Sequence, residues 1–365
     1  MRAALAALLL AACGAKAVTP TYHADANPET LSDWGAVAVR GDALVLGEGV
    51  VPYALNTPLF TDYAHKLRTV WVPEGSVAPD ADGDLTAFPV GTVISKTFYY
   101  PTSGAGVAKR PDAEAVAADA PLDLTGHRLI ETRLLVRREA GWQPVSYVWN
   151  EAQTEATLKR TGAVVPLTLR GEGAPRSFAY VVPNENQCAG CHAPDTRTAA
   201  LRPLGPTLAQ LDRDYAYAGG PANQLTRWRE EGLLTGGAAF APMAAWDDAS
   251  APLGARARGY LDANCAHCHA ANAPADTSGL MLDAQNQALP ALGVCKTPIA
   301  AGAGTGGHAY AVVPGEPDAS ILAYRLASDA PGAMMPELGR SLVHEEGVAL
   351  IEDWIAGMEG GCDAG

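Results

Sequence analysis

Two short segments carry chemistry by residue type and spacing: Cys188-Ala189-Gly190-Cys191-His192 and Cys265-Ala266-His267-Cys268-His269. Two thiols three residues apart can each form a thioether. A His directly behind the second thiol must then meet whatever the thiols hold from the face it already lies against. That is the spacing of covalent haem attachment, in which the thiols bond the edge of the macrocycle and the imidazole ligates iron. A thioredoxin-like redox pair does not need the trailing His, and a zinc site usually needs further Cys or His at short spacing. The doubled motif therefore predicts two covalently bound haem c groups. One would be held by Cys188, Cys191 and His192, the other by Cys265, Cys268 and His269.

The second axial position sets redox behaviour, because a thioether raises the potential relative to a second imidazole. For the second iron the expected ligand is Met335, which precedes Pro336 in MMPELG and looks like the Met-Pro loop that delivers thioether ligands in many cytochromes c. Met334 is its main rival, with His308 behind it, while Met281 and Met358 read as core. Met243 is the one Met or His between His192 and Cys265, which makes it the expected ligand of the first iron. His65 or His127 reaching across from upstream, or an iron left open, are the alternatives. His267 reads as a spacer and His23 as a solvated linker residue.

The rest of the composition says where such a protein works. At 365 residues the chain allows two or three domains. A formal charge of −14 and a pI near 5.0 leave no electrostatic footprint for nucleic acid or anionic lipid. A soluble redox partner with a basic docking patch is one expectation, and an acidic surface kept for solubility is the other. Met1–Ala12 has a single basic residue, Arg2, and an apolar run too short to span a bilayer. It ends in Leu10-Ala11-Ala12-Cys13, which looks like the lipobox of bacterial lipoproteins. By that resemblance Cys13 is lipidated and becomes the mature N-terminus; cleavage at Ala15-Lys16-Ala17 is the rival. Either route means export, and Gly14 in place of Asp points to an outer-membrane lipoprotein facing the periplasm, tied to the membrane by that anchor. Cys295 and Cys362 are left over, an even pair in an oxidising compartment, and are expected to form a disulfide; two unpaired buried thiols are the alternative.

Residues 25–183 read as a β-rich domain. Val90–Tyr100, Arg128–Arg137, Val145–Trp149, Val164–Leu169 and Ser177–Val182 are rich in β-branched and aromatic residues and are separated by Pro, Gly and Asp clusters. Short strands at this density predict an antiparallel sandwich or jelly roll. Residues 101–121 lack a usable period and read as a long loop. From 184 on, helices are predicted over Asp248–Asp262 and Val343–Met358, the latter with Val348, Ile351, Ile355 and Met358 on one face. The expected plan is a multidomain α+β chain: signal and linker (1–24), β-rich domain (25–183), first haem segment (184–250) and a second, cytochrome c-like haem domain (251–365).

Several runs strengthen this plan by resemblance, among them NTPLFTDYAHKLRTVWVPEG (56–75), FPVGTVISKTF (88–98), YVWNEAQTEATL (147–158), ENQCAGCH (185–192), RARGYLDANCAHCH (256–269) and MPELGRSLVHEEGVALIEDWI (335–355). Together they resemble a bacterial family of two-haem c-type cytochromes, often lipoproteins, with a β-rich N-terminal domain. The resemblance implies haem binding and electron transfer between periplasmic or membrane partners, and names no donor or acceptor. A role as the cytochrome partner of a periplasmic dehydrogenase stays open. So does a dihaem peroxidase or oxidase with one open iron, which failure of Met243 to ligate would favour. No acid–base or nucleophile constellation is visible in the β-rich part.

Overall fold

β-Branched and aromatic residues at alternate positions build most of this molecule. The computed structural model describes residues 17–109, 120–299 and 301–362; Cys13 and the middle of the 101–121 loop lie outside the described residues. The chain is mixed α/β with more strand than helix, organised on a curled sheet. Ahead of the first motif come β1 (Val37–Arg40), β2 (Ala43–Leu46), β3 (Val51–Tyr53), β4 (His65–Trp71), β5 (Ala78–Pro79), β6 (Leu85–Ala87), β7 (Val93–Ser103) and β8 (Gly106–Ala108). β9 (Leu122–Asp123), β10 (His127–Arg138), β11 (Gly141–Trp149), β12 (Ala156–Leu158), β13 (Ala163–Arg170) and β14 (Arg176–Val182) follow. Helix α1 (Glu185–His192) carries the first motif, and α2 (Leu208–Leu211), β15 (Asp214–Tyr217), β16 (Gly220–Asn223) and α3 (Gln224–Glu230) fill the stretch before the second. Helices α4 (Leu253–Leu261), α5 (Ile321–Ala327) and α6 (Glu345–Ala356) form the C-terminal part.

The largest sheet runs β12-β11-β10-β7-β8-β13-β14, with β4 also on β7 and β3 on β4. β4 covers β7 from Val93 to Tyr99, and β8 takes over at Thr102 and Ser103. This hand-over divides one side of β7 between two partners and lets the sheet curl. On one face Val93, Tyr99, Leu134, Val136, Tyr147 and Trp149 pack on Trp34, Val37 and Leu44 beneath the small β1-β2-β9 sheet, and the buried hydroxyls between them pair with each other, Thr69 with Ser95 at 2.6 Å and Thr97 with Thr132 at 2.8 Å. The other face is apolar at its two ends. Val70 and Ile94 meet Leu208, Leu211 and Trp228 of the short helices, while Phe98, Tyr100 and Ile130 meet Leu167, Leu169 and Tyr180 of the curled end. Each such side chain, fully buried, contributes about 1.5–3 kcal/mol.

α4 begins at Leu253 after Pro252, five residues later than the sequence suggests. Asp248 does not cap it; its Oδ1 accepts from Ser250 N (2.9 Å) and Oγ (2.6 Å), closing a turn of its own. α6 buries Leu350, Ile351 and Ile355 against Ala257, Leu261 and Leu326, and Glu345 and Glu346 sit in its first turn, where carboxylates suit the helix dipole. The strand-rich and helical parts are joined by the loop before β4. Asp62 Oδ1 accepts from Ser341 N and Leu342 N, both at 2.7 Å, and Phe60 stacks on His344 with ring centroids 4.2 Å apart. Tyr63 donates to Glu346 Oε2 (2.8 Å), and Phe60 N donates to Asn264 Oδ1 (2.8 Å). No helix among the described residues is long and apolar enough to cross a membrane.

Candidate functional site

The two Cys-x-x-Cys-His segments are built differently and brought together. α1 is started by a capping box: Asn184 Oδ1 accepts from Gln187 N (2.8 Å), and Gln187 Oε1 accepts from Asn184 N (3.0 Å). On that short helix Cys188, Cys191 and His192 fall at i, i+3 and i+4 and share a face, all half-buried. The second segment sits where α4 widens into a π-type turn over Asp262–Ala266, which sinks Cys265 into the helical core at 7% exposure. Cys268 Sγ then lies 3.8 Å from Gly190 O and hydrogen-bonds the Cys191 sulfur. Behind the motifs, Thr196 N and Oγ1 both donate to Asn272 O at 2.9 Å.

The hydrogen bonds of the two imidazoles fix their tautomers. His192 Nδ1 lies 2.9 Å from Arg202 O, a group that can only accept, so Nδ1 carries the proton. His269 Nδ1 lies 3.0 Å from Ser278 Oγ, whose own proton goes to Ala275 O (2.7 Å); here too Nδ1 must donate. In both rings Nε2 is therefore the bare lone pair, and it has no hydrogen-bond partner among the described residues. Burial first, then the charges of Lys96 at His192 and Arg325 at His269, pushes both imidazoles down to about 4, so both are neutral at neutral pH. A neutral ring whose Nδ1–H is held and whose Nε2 is bare is what a metal-ligating His requires. Burial raises the thiols of Cys188 and Cys265, the latter to about 12. The hydrogen bond from Cys268 favours the thiolate of Cys191.

The loop holding Met335 lies against both motifs. Glu337 acts electrostatically on Cys268, and a Cβ at Gly190 would touch Leu338 at 3.7 Å. Arg340 sets this loop in place. Its buried guanidinium donates to the carbonyls of Arg325, Leu326 and Ser328 at the end of α5, and to Met335 O at 2.8 Å. One cation thus satisfies the unpaired carbonyls of a helix C-terminus and the loop that leaves it. Met243 lies elsewhere: its sulfur accepts from Gln210 Nε2 (2.8 Å), and its side chain packs on Gly259 of α4. His65 pairs across strands with Tyr99, and the His127 ring lies 5.4 Å from that of Tyr99. Strand alternation puts both on the face away from α1. Cys295 and Cys362 are joined by a disulfide, with Cα atoms 5.2 Å apart.

Sequence reasoning passed over the residues that face α1 from the sheet: Lys96 and Arg133, which act electrostatically on Cys188 and His192. They sit on different strands, and only the register β7–β10 sets them side by side. The short hairpin β15–β16 was also unexpected in a segment read as mainly helical.

No family model, no curated protein and no solved structure matches this chain. The described residues also hold no group of three or more His, Cys, Asp or Glu side chains placed to hold a metal ion. These findings correct the resemblance to the two-haem c-type cytochrome family, and the chain is not assigned to it. The physical reason lies in the side chains: the motif thiols and imidazoles of the two segments touch at Cys191 and Cys268 without converging into a shared ligand set.

Proposed function

We propose that each Cys-x-x-Cys-His segment anchors one covalent haem and that the chain is a one-electron carrier outside the cytoplasm. The observation that carries this reading is the repeated state of the two imidazoles, with Nδ1–H held by Arg202 O or Ser278 Oγ and Nε2 bare. The reading stands on these residues alone and on no family. Cys188 and Cys191 would hold one group and His192 would face its iron; Cys265, Cys268 and His269 would do the same for the other. Such a group supplies a site that gains and loses single electrons. The residues around it keep that site fixed: Arg202 and Ser278 hold the rings in one orientation, and the donation of Thr196 to Asn272 O keeps the two segments adjacent. Met335, whose backbone carbonyl Arg340 holds, would offer its thioether to the group anchored at Cys265 and Cys268. The strand-rich part is a scaffold and docking module of sandwich or jelly-roll type, and residues 251–365 form the cytochrome c-like haem domain. The chain is exported, anchored through Cys13, and exchanges electrons with periplasmic redox proteins.

A second reading, a peroxidase or oxidase with an open position at the first motif, is favoured by one observation. The Met243 sulfur is engaged by Gln210 and not directed at His192 by any contact among the described residues. Production in a host with c-type maturation tests both. Two haems retained after denaturation, with both irons low-spin and negligible peroxide turnover, fit the carrier. A high-spin first iron with peroxide turnover fits the enzyme. An unmodified mass with Cys191 and Cys268 joined as a disulfide would sink both readings.

A further inference from the structure

Four thiols stand in the two motifs, and their surroundings pair them across the motifs rather than within them. Cys268 Sγ lies 3.8 Å from Gly190 O and hydrogen-bonds the Cys191 sulfur, which His267 also reaches. Further along, Thr196 N and Oγ1 hold the same two segments together through Asn272 O, both at 2.9 Å. Cys191 and Cys268 are half-buried, whereas Cys265 is sealed in the helical core. Within each motif the geometry opposes a bond. Cys188 and Cys191 are three residues apart on α1, and the helical bonds Cys188 N to Asn184 O (3.1 Å) and Ala193 N to Ala189 O (3.0 Å) are made on either side. Helix neighbours at that spacing have Cβ atoms about 5–6 Å apart, and a disulfide needs about 3.5–4.5 Å. A Cys188–Cys191 bond therefore requires α1 to unwind. In the second motif a turn closed by Cys268 N on Cys265 O (3.0 Å) sends the two side chains apart, one into the core and the other towards α1.

We propose that Cys191 and Cys268 are a cross-motif disulfide pair: in the chain that carries nothing on its motifs, they close one S–S bond between α1 and the segment that follows α4. The oxidant is a small disulfide of the glutathione type. One cysteine sulfur attacks it, gives up its proton, forms a mixed disulfide and releases one glutathione thiol. The other sulfur then displaces the second glutathione and gives up its own proton. Two protein thiols are oxidised, one small disulfide is reduced, and the two protons end on the two released thiols. The bond takes one thiol from each motif, so a single two-electron step withholds both attachment points, and reduction by a dithiol restores both. The bond itself stands without the haem reading; its role as a gate to attachment rests on that reading.

The test uses the full chain, wild-type and Cys268→Ser, made in a host without c-type maturation. The motif thiols are reduced, the chain is exposed to oxidised glutathione in native buffer and in denaturant, and its cysteine pairs are mapped by alkylation and peptide mass. The expected native product has one new bond, Cys191–Cys268, with Cys188 alkylated as a free thiol and Cys265 alkylated only after denaturation. In denaturant the shortest loops close most easily, and pairs within each motif should dominate. Cys268→Ser should leave Cys191 as its mixed disulfide with glutathione. A Cys188–Cys191 bond in either native chain overturns the proposal. So does a native pattern identical to that in denaturant, or four free motif thiols in excess oxidant. The haem reading is tested apart, in the maturing host. Haem on both motifs there, with Cys188–Cys191 pairing in the haem-free chain, overturns the cross-motif bond and leaves that reading. A haem-free chain from that host with Cys191 and Cys268 joined does the reverse.

Discussion

Around Cys188, Cys191 and His192 the nearest charged groups are cations of a sheet, Lys96 and Arg133, with a single buried carboxylate among them. Around Cys265, Cys268 and His269 lie a helical core, the carboxylate of Asp262, which acts on Cys265, and a loop whose opposite charges, Arg325 and Glu337, face each other at 3.8 Å. The same pentapeptide pattern thus stands in two electrostatic settings. A unit charge about 8 Å away at an effective dielectric of about 20 is worth roughly 2 kcal/mol. That would be enough to separate two otherwise similar sites of the kind proposed, with the first favouring the reduced state. Spacing limits what each motif can bond, and the surrounding elements set the charge that any bound group would meet.

The strongest way to break this comparison is to delete one motif at a time. Cys188→Ala with Cys191→Ala should remove one covalent haem and leave the fold close to intact, because both thiols are half-buried. Cys265→Ala with Cys268→Ala should remove the other and also lower stability, because Cys265 is core. Mass after denaturation and a denaturant midpoint check both, and equal stability losses would count against the difference in setting. Next, Cys295→Ser with Cys362→Ser opens a loop of sequence separation 67 on the second motif's side. A loss of about 4 kcal/mol is expected in the chain-entropy model, with the first haem's spectrum unchanged.

Arg340→Ala leaves several carbonyls of α5 and the Met335 loop unsatisfied and should cost about 3 kcal/mol. Its spectral effect should be confined to the second haem; a change at the first would mean the two sites are not independently held. Asp62→Ala should cost about 2 kcal/mol by orphaning Ser341 N and Leu342 N. Asp62→Asn should be nearly neutral, since an amide oxygen accepts the same bonds, Asn tolerates the φ of 48° there, and the buried carboxyl, pushed up to about 6 by desolvation, is charged at a cost. The smallest effect concerns pH. Burial pushes His344 down to about 4, so the fold prefers its neutral ring. That contribution is complete above the ordinary value near 6.5 and is lost as pH falls from there towards 4. Ring-carbon shifts followed by NMR should put the titration near 4, and a midpoint near 6.5 would mean that the Phe60–His344 stack opens in solution.

Much of the framework was legible. The five strands read from β-branched and aromatic runs correspond to β7, β10, β11, β13 and β14, each within a few residues of its observed ends. α6 follows the apolar period that marked it. The short strands β1 to β3 escaped because three or four residues carry no usable alternation. β4, with its cationic residues Lys66 and Arg68 on one face, does not look like a half-buried strand, because alternating cations read as a solvated face. The candidate site divides the same way. The motif residues were plain because they are contiguous, whereas Arg202, Ser278 and Arg340 act through backbone carbonyls or a hydroxyl, and Lys96 and Arg133 through register. None of these leaves a local trace in the sequence.

The π-type turn that sinks Cys265 bears on the order of assembly. Once α4, α5 and α6 have closed, that thiol is 7% exposed, and the half-buried Cys191 and Cys268 sulfurs are in contact with each other. Whatever is bonded to Cys265 must therefore be joined while the chain is still open. If Cys265 is modified as proposed, a newly made chain would face a race between modification and collapse, and mutations that speed the docking of α6 would lower the yield of complete protein without touching a single motif residue.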